Sequence, residues 1–220
     1  MKQKRCYVIA STVACALAMA FVDGVIQPPY GLKSFLKVVL FLLVPLGYFR
    51  IFRAWDSLKA LFRLKKWELA VALALGIGAF GVITGGYMVI SRFFSLEEAI
   101  LTLTRDGGVS PDNFLYVSIY IALVNSLLEE FFFRGFLFTN LKTKGKQFAN
   151  LFSAAVFAAY HVAMMTGWFS PVLFVLVMAG LTVGGMLFNG LNDRFGGICV
   201  SWLVHMCANF AINTIGFILL

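Results

Sequence analysis

The chain is built from long apolar runs that are separated by short polar gaps. Seven runs can be recognised, and a helix needs about 20 such residues to cross the hydrocarbon core of a bilayer. Of the 220 residues, 61% are hydrophobic and 13% are charged, which excludes a soluble domain because too much apolar surface would stay uncovered. The sequence therefore predicts an all-α, polytopic transmembrane bundle. The runs cover residues 6–26, 34–52, 67–90, 112–139, 148–168, 171–191 and 197–220.

The two ends of this layout allow alternatives. The first run follows a basic start and has an Ala-Met-Ala triplet at residues 18–20, where a signal peptide would be cleaved. Because the run is long for a signal peptide, we expect residues 1–20 to be retained in a first helix. The last run could break into two short helices, which would give eight segments. Residues 1–220 are expected to form a single membrane domain.

The basic residues are concentrated in alternate gaps, at residues 1–5, 53–66, 140–147 and 192–196. This asymmetry predicts a cytoplasmic N-terminus, with these gaps facing the anionic lipids of the inner leaflet. The net charge of +8 does not indicate a nucleic-acid partner, because the charges form no basic stripe interleaved with aromatic residues. The gap 53–66 fits either an amphipathic helix on the membrane surface or a plain basic loop.

Other local features bear on packing and access. Pro45 is expected to kink the second span, and Lys37 is expected to snorkel from its outer end. The segment 91–111 could begin with an interfacial helix and is the best candidate for a lid outside the membrane. Glycines spaced four apart, which let helices approach closely, occur in the third and sixth spans. They are Gly81 with Gly85 and Gly180 with Gly184.

The fourth run contains charges that need an explanation. A charged side chain at membrane depth is unfavourable by about 2.5–3.5 kcal/mol, yet Glu129, Glu130 and Arg134 lie within six residues. At helical spacing Glu130 and Arg134 share a face and can pair. Glu129 points away from that pair and shares its own face with Asn125. One carboxylate is therefore interpreted as structural and the other as free, although a purely structural ion-pair cluster is an alternative.

The only two histidines, His161 and His205, lie inside the fifth and seventh runs. At about 1.5 Å per residue, Glu129, His161 and His205 lie about 17–22 Å from the basic ends of their helices. Asn209 follows His205 by one turn on the same face. Three helices thus bring ionisable groups to one depth, which indicates a functional site inside the bundle.

These residue types suit hydrolysis. A carboxylate can act as a general base toward water, imidazoles can bind that water or move a proton, and a carboxamide can stabilise an oxyanion. Cysteines occur without CxxC or zinc-knuckle spacing and are interpreted as small apolar side chains. No serine or cysteine is clearly placed as a nucleophile, but four such side chains near the motifs are not excluded by the sequence alone. They are Ser126, Cys199, Ser201 and Cys207.

Three motifs occur in a fixed order on successive predicted helices. They are Glu129-Glu130-x-x-x-Arg134, Phe157-x-x-x-His161 and His205-x-x-x-Asn209. Together they resemble the motifs of the CAAX protease and bacteriocin-processing family, also called CPBP or Abi, which includes the CAAX prenyl endopeptidases. The resemblance covers residues 112–212, while residues 1–110 contribute predicted spans without a motif.

The resemblance implies a glutamate-dependent intramembrane endopeptidase. By motif position Glu129 would be the general base, and His161 would help to bind and activate the water. His205 and Asn209 would form the oxyanion site. The second glutamate and the arginine of the first motif would support the site structurally. No cofactor is implied.

Three other interpretations remain open. Glu129, His161 and His205 could instead bind a zinc ion with an open fourth position in the same protease, although an HExxH motif is absent. The buried charges could serve a transporter, but no internal repeat is visible. A non-proteolytic immunity or scaffold protein that binds a peptide would also be consistent with the chain.

We therefore expect a multi-pass membrane hydrolase that cleaves a membrane-associated or prenylated, CAAX-type peptide or protein. The small chain suggests a bacterial cytoplasmic membrane. In that setting bacteriocin leaders, signalling peptides and lipid-anchored proteins are equally open as substrates. Neither the substrate nor the oligomeric state follows from the sequence.

Overall fold

The computed structural model describes residues 2–95 and 109–220. This part of the chain is helical and contains no β-strand, as predicted. Seven of its helices are long and apolar enough to cross a membrane, and the last run forms one continuous helix instead of two. In chain order the helices are α1 (Gln3–Ile26), α2 (Tyr30–Ile51), the short α3 (Trp55–Leu61), α4 (Lys66–Ile90), α5 (Pro111–Leu141), α6 (Lys146–Met165), α7 (Pro171–Phe195) and α8 (Cys199–Leu219).

Helix α5 lies at the centre of the bundle and contacts α1, α2, α6, α7 and α8. All nine residues from Glu130 to Phe138 are buried. A helix that is enclosed on every side must be apolar all round, which explains the five phenylalanines of this segment. By contrast, α4 and α7 expose most of their surface, as Ile77 and Val82 of α4 illustrate at 72% and 75% exposure.

Parts of α2 and α5 are π-helical, with a wider turn than an α-helix. In α2 the π segment Val39–Leu43 ends two residues before Pro45, whose missing N–H removes an α-helical hydrogen bond. The kink predicted at Pro45 stays a prediction, but the neighbouring turn is wide. It carries Phe41, which is buried and stacks on Phe132 of α5 at a ring distance of 4.2 Å. The stack joins α2 firmly to the central helix.

The basic gap after α2 contains α3, so a helix occupies Trp55–Leu61 where a plain loop was the alternative. Leu61 is buried, and its carbonyl oxygen accepts a hydrogen bond from Ile198 N at 2.8 Å. Trp55 is 43% exposed and faces outward. The contact between α3 and lipid remains a prediction. The lid and interfacial helix predicted within 91–111 fall mostly on residues outside the described ranges.

The close approaches of helices occur at glycines other than the predicted pairs. A Cβ atom at any of the four predicted glycines would meet none of the described residues within 4 Å, so this prediction is wrong for contacts within residues 2–95 and 109–220. Instead, a Cβ at Gly185 would lie 3.1 Å from Ala154 Cα, and one at Gly76 would lie 2.6 Å from Cys207 Sγ. The spacing rule identifies small residues but not the side of the helix that a partner covers.

We predict that Gly185→Val lowers the free energy of unfolding by about 1–3 kcal/mol, because the added methyl groups overlap Ala154 of α6. The matched control is Gly184→Val at the neighbouring position, which has open space and the same change in helix propensity. Thermal unfolding of both variants in detergent provides the comparison. Equal melting temperatures would contradict the packing described here.

Candidate active site

Glu129 and Glu130 lie on either side of a change in helix geometry. Glu129 ends the α-helical turn Ser126–Glu129, and Glu130 begins the π-helical segment Glu130–Phe138. Both side chains are buried, at 2% and 0% exposure. They point in different directions, so Arg134 contacts Glu130 while Asn125 contacts Glu129, as the spacing predicted.

His161 of α6 faces the Glu129 carboxylate. Its Nε2 atom lies 3.9 Å from Glu129 Oε1, and its Nδ1 atom lies 2.7 Å from the carbonyl oxygen of Phe157. A carbonyl oxygen only accepts, so Nδ1 carries the proton of this bond and Nε2 of the neutral ring is left as an acceptor. The Phe157 ring also packs against the imidazole at 4.7 Å. Phe157 thus fixes both the tautomer and the orientation of His161.

His205 of α8 contacts both glutamates. Its Nε2 atom lies 3.6 Å from Glu129 Oε2, and its Nδ1 atom lies 3.0 Å from Glu130 Oε1. The ring stacks on Phe188 of α7 at 4.9 Å with an interplanar angle of 21°. A carboxylate bound to Nδ1 holds the proton on that nitrogen and fixes the ring orientation. Sequence reasoning missed this contact, because it linked Glu130 only to Arg134.

Arg134 completes the interior of the site below the histidines. Its Nη1 atom lies 3.4 Å from Glu130 Oε1, so the pair predicted from the four-residue spacing is present. The guanidinium also lies over the rings of Phe157 at 4.3 Å and Phe188 at 5.2 Å. Cation–π contacts of this kind stabilise a buried cation that has lost its hydration water. The Arg134 side chain is fully buried.

The prediction that Lys37 snorkels outward is wrong. The residue was expected to snorkel outward from α2, but its side chain is buried and its Nζ atom lies 2.5 Å from Glu129 Oε1. The same Nζ donates to Asn125 Oδ1, and Asn125 Nδ2 donates to Glu129 Oε1 at 3.1 Å. Outward snorkelling fails because a buried carboxylate and the Tyr160 ring, 4.9 Å from Nζ, attract the ammonium inward. A lysine inside an otherwise apolar span was the available signal.

Asn209 lies apart from these contacts. Its Nδ2 atom donates to the carbonyl oxygen of Ile121 at 3.1 Å, in a π-helical part of α5. One turn further along α8, Asn213 Nδ2 donates to the Ser118 carbonyl oxygen at 2.9 Å. Both amides therefore join α8 to α5. This contact gives Asn209 a structural role, and any catalytic role would use its second N–H.

Three of the four hydroxyl and thiol groups that the sequence left open as nucleophiles have other partners. Ser126 Oγ donates to the Ala122 carbonyl oxygen at 2.5 Å, and Trp202 Nε1 lies 3.1 Å from the same Oγ. Ser201 Oγ donates to the Ile198 carbonyl oxygen at 3.0 Å. Cys199 Sγ points to the Leu61 carbonyl oxygen. These contacts favour local helix packing for all three side chains.

The donor atoms of the alternative zinc site do come together, since Glu129 faces both His161 and His205. Within residues 2–95 and 109–220, however, no group of three or more His, Cys, Asp or Glu side chains has an arrangement that could hold a metal ion. Lys37 also shares the Glu129 carboxylate, and its positive charge opposes a second cation at that position.

Residues 111–211 match the family model described as type II CAAX prenyl endopeptidase Rce1-like. This segment is an Rce1-like domain. The match confirms the resemblance inferred from the three motifs. No curated protein and no solved structure matches the chain. With its seven apolar helices, the chain is an integral membrane protein, and the domain supports a CAAX-type intramembrane protease in general.

The Rce1-like domain covers α5 to α8 up to Ala211, which includes every residue of the three motifs. Helices α1 to α4 lie outside the matched segment. The site nevertheless includes one side chain from that outer part, because Lys37 belongs to α2.

We predict that Arg134→Met lowers the free energy of unfolding by about 3–5 kcal/mol, because it leaves Glu130 as an uncompensated buried charge. The double variant E130Q/R134M should lose less than the sum of the two single variants. Thermal unfolding in detergent measures both.

The control for this prediction is Asp193→Asn, which breaks the partly exposed pairs of Asp193 with Lys142, 3.1 Å apart, and with Lys146, 2.7 Å apart. An exposed pair contributes less than about 1 kcal/mol, so this variant should unfold close to wild type. Additive losses in E130Q/R134M would show that the two side chains are not coupled.

Proposed function

We propose that the chain is a glutamate-dependent intramembrane endopeptidase that hydrolyses a peptide bond with a water molecule activated by Glu129. The observation that carries the proposal is the arrangement around one buried carboxylate. Two imidazoles from different helices face its two oxygens, at 3.9 Å for His161 and 3.6 Å for His205. These separations are longer than direct hydrogen bonds, so the imidazoles would act with the carboxylate through a water molecule, which is one of the geometries that general acid–base catalysis uses.

In the proposed reaction, Glu129 takes a proton from water while the water oxygen forms a bond to the carbonyl carbon of the scissile peptide. His161 supports this step because its Nε2 atom is an acceptor that can bind the second proton of the same water. The carbonyl π bond breaks and its electron pair moves to the oxygen. The oxyanion then re-forms the C=O bond as the C–N bond breaks, and Glu129 returns the proton to the leaving amine nitrogen.

His205 is proposed to stabilise the resulting oxyanion, which requires an N–H at Nε2. Its Nδ1 atom lies against Glu130 and its Nε2 atom faces the Glu129 carboxylate, so Nε2 is the ring nitrogen that is proposed to donate. Asn209 is proposed to add its second amide N–H, while its first remains on Ile121.

The proposed substrate is a peptide or protein held in or at the membrane. The family description names prenyl endopeptidases, so a prenylated CAAX-type tail is one candidate. Bacteriocin leaders, signalling peptides and lipid-anchored proteins are the others. Comparison of protein termini and released peptides in cells that express wild type or Glu129→Gln would identify it, since only the products of the proposed reaction should disappear.

We predict that Glu129→Gln lowers kcat on a quenched CAAX-type peptide by about 10²–10⁴-fold, because the amide cannot accept a proton. His161→Ala should cause a comparable loss, and His205→Ala should lose about 10²–10³-fold as an oxyanion donor. Asp193→Asn, at the end of α7 and away from the site, is the control and should keep wild-type turnover.

The outcome that would reject these roles is wild-type turnover by the variants at 129, 161 and 205. A non-proteolytic, peptide-binding protein would instead be favoured by a Glu129→Ala variant that keeps full biological function. The same variants in a cellular assay separate the two, because a binding protein keeps its biological effect without cleavage.

The zinc-dependent version of the same protease is tested with chelators. We predict that turnover survives dialysis against EDTA and 1,10-phenanthroline, because the Lys37 ammonium occupies one side of the carboxylate that zinc would need. Loss of turnover that added zinc restores would instead make Glu129, His161 and His205 metal ligands.

Anionic lipids are the second proposed partner. A cavity of about 400 Å³ lies at the end of the bundle where α1 begins and α5 ends, and Lys4, Arg5 and Lys142 line it. Basic pockets between helices favour the headgroups of anionic lipids on the cytoplasmic side. The cavity supports the proposal that the N-terminus is cytoplasmic. That the membrane is a bacterial cytoplasmic membrane is a separate proposal, which rests on the size of the chain.

A further inference from the structure

Among the described residues, Lys37 is the charged side chain at Glu129 that comes from outside the Rce1-like domain. It lies on α2, whereas the matched segment begins at residue 111. Its side chain is 8% exposed, and its Nζ atom contacts Glu129 Oε1 and Asn125 Oδ1, each at 2.5 Å. Aromatic rings lie beside the ammonium, with Tyr160 at 4.9 Å and Phe41 at 5.5 Å.

We propose that Lys37 is a positioning residue for the proposed reaction: it compensates the charge of Glu129 and fixes the orientation of its carboxylate. The proposal rests on the protease function above and extends it beyond the three motifs. Lys37 acts through Glu129, so it is not expected to contact the substrate.

Hydrogen bonding to the two carboxylate oxygens is unequal. Oε1 accepts from both Lys37 Nζ and Asn125 Nδ2, and these two donors fill its two lone pairs. Oε2 faces His205. We infer that Lys37 and Asn125 fix the plane of the carboxylate and leave Oε2 as the oxygen that takes the proton from water.

The charges of the site balance only when Lys37 is included. Arg134 lies beside Glu130 and compensates that carboxylate. Without Lys37, Glu129 would be a buried carboxylate with no permanently charged partner among the described residues, which is a costly arrangement inside a membrane protein. Lys37 supplies the second cation, so each glutamate has its own partner.

The alternative role for this lysine is recognition of a substrate carboxylate, such as the free C-terminus of a tail. The two roles differ in kinetics. A lysine that binds substrate mainly changes KM, whereas one that orients the base mainly changes kcat. The test below uses this difference.

The first measurement needs no substrate. Thermal unfolding in detergent is compared for K37M, E129Q and the double variant K37M/E129Q. We expect each single variant to lower Tm by leaving its partner unpaired, and the double variant to lose less than the sum. The control is Lys33→Met, on the same helix and paired with Asp23 at 3.0 Å, which should be additive with E129Q. Additive losses for Lys37 and Glu129 would overturn the proposal.

The second measurement is steady-state cleavage of the quenched peptide. We expect K37M to lower kcat by about 10²-fold with KM nearly unchanged, since a small misplacement of a catalytic group has effects of this size. K37R, which keeps the positive charge, should recover part of the loss. An unchanged kcat, or a raised KM at wild-type kcat, would overturn the positioning role.

Chemical rescue tests whether the loss of activity at position 37 comes from the missing positive charge or from a change in the fold. K37C should be as inactive as K37M, and conversion of its thiol to an aminoethyl thioether, which restores an ammonium, should raise kcat. A neutral thioether of similar length should not. Wild type treated in parallel controls for its four free cysteines. Equal rescue by both reagents would show that volume, and not charge, matters at this position.

These measurements distinguish failure of this inference from failure of the proposed function. If wild type cleaves no peptide, the protease proposal fails, and the unfolding experiment still decides whether Lys37 and Glu129 are coupled. If wild type cleaves and K37M is equally active, only the role of Lys37 is rejected.

Discussion

The compensation of two adjacent buried glutamates is the constraint on which the rest of the bundle depends. Neither carboxylate can remain unpaired at this depth, and each requires its own cation. Arg134, four residues after Glu130, is supplied by the same helix. The partner of Glu129 must come from another helix, so α2 has to lie against α5 with Lys37 at the level of Glu129. The packing of α2 against α5 therefore also determines the charge balance around Glu129.

The π-helical geometry allows this separation of partners. The π segment of α5 begins at Glu130, so the two glutamates lie on either side of a change in helix pitch. Glu130 and Arg134 still meet, while Glu129 is directed toward α2, α6 and α8. The π turn of α2, which ends two residues before Pro45, places Phe41 flat against Phe132. Such wide turns are frequent at functional sites because they redirect side chains without breaking the helix.

Sequence reasoning succeeded where the relevant contacts are local or follow from length. The apolar runs predict the helices, and four-residue spacing predicts the pairs of Glu130 with Arg134 and of Asn125 with Glu129. It failed where the outcome depends on which neighbour covers a face. Lysine snorkelling is a rule for lipid-facing residues, and it does not hold once a carboxylate on another helix is nearer than the interface. The glycine pairs fail for the same reason, since spacing does not reveal the contact side.

The position of Lys37 connects helix α2 to the site of the matched segment, residues 111–211. The three motifs lie within residues 111–211, which suggests that the helices before them only anchor the protein. Yet those motifs carry two carboxylates and one arginine, so the matched segment alone has an uncompensated Glu129. Helix α2 supplies the missing charge, together with Phe41, whose ring lies 5.5 Å from the same ammonium. The N-terminal helices therefore take part in the electrostatics of the site.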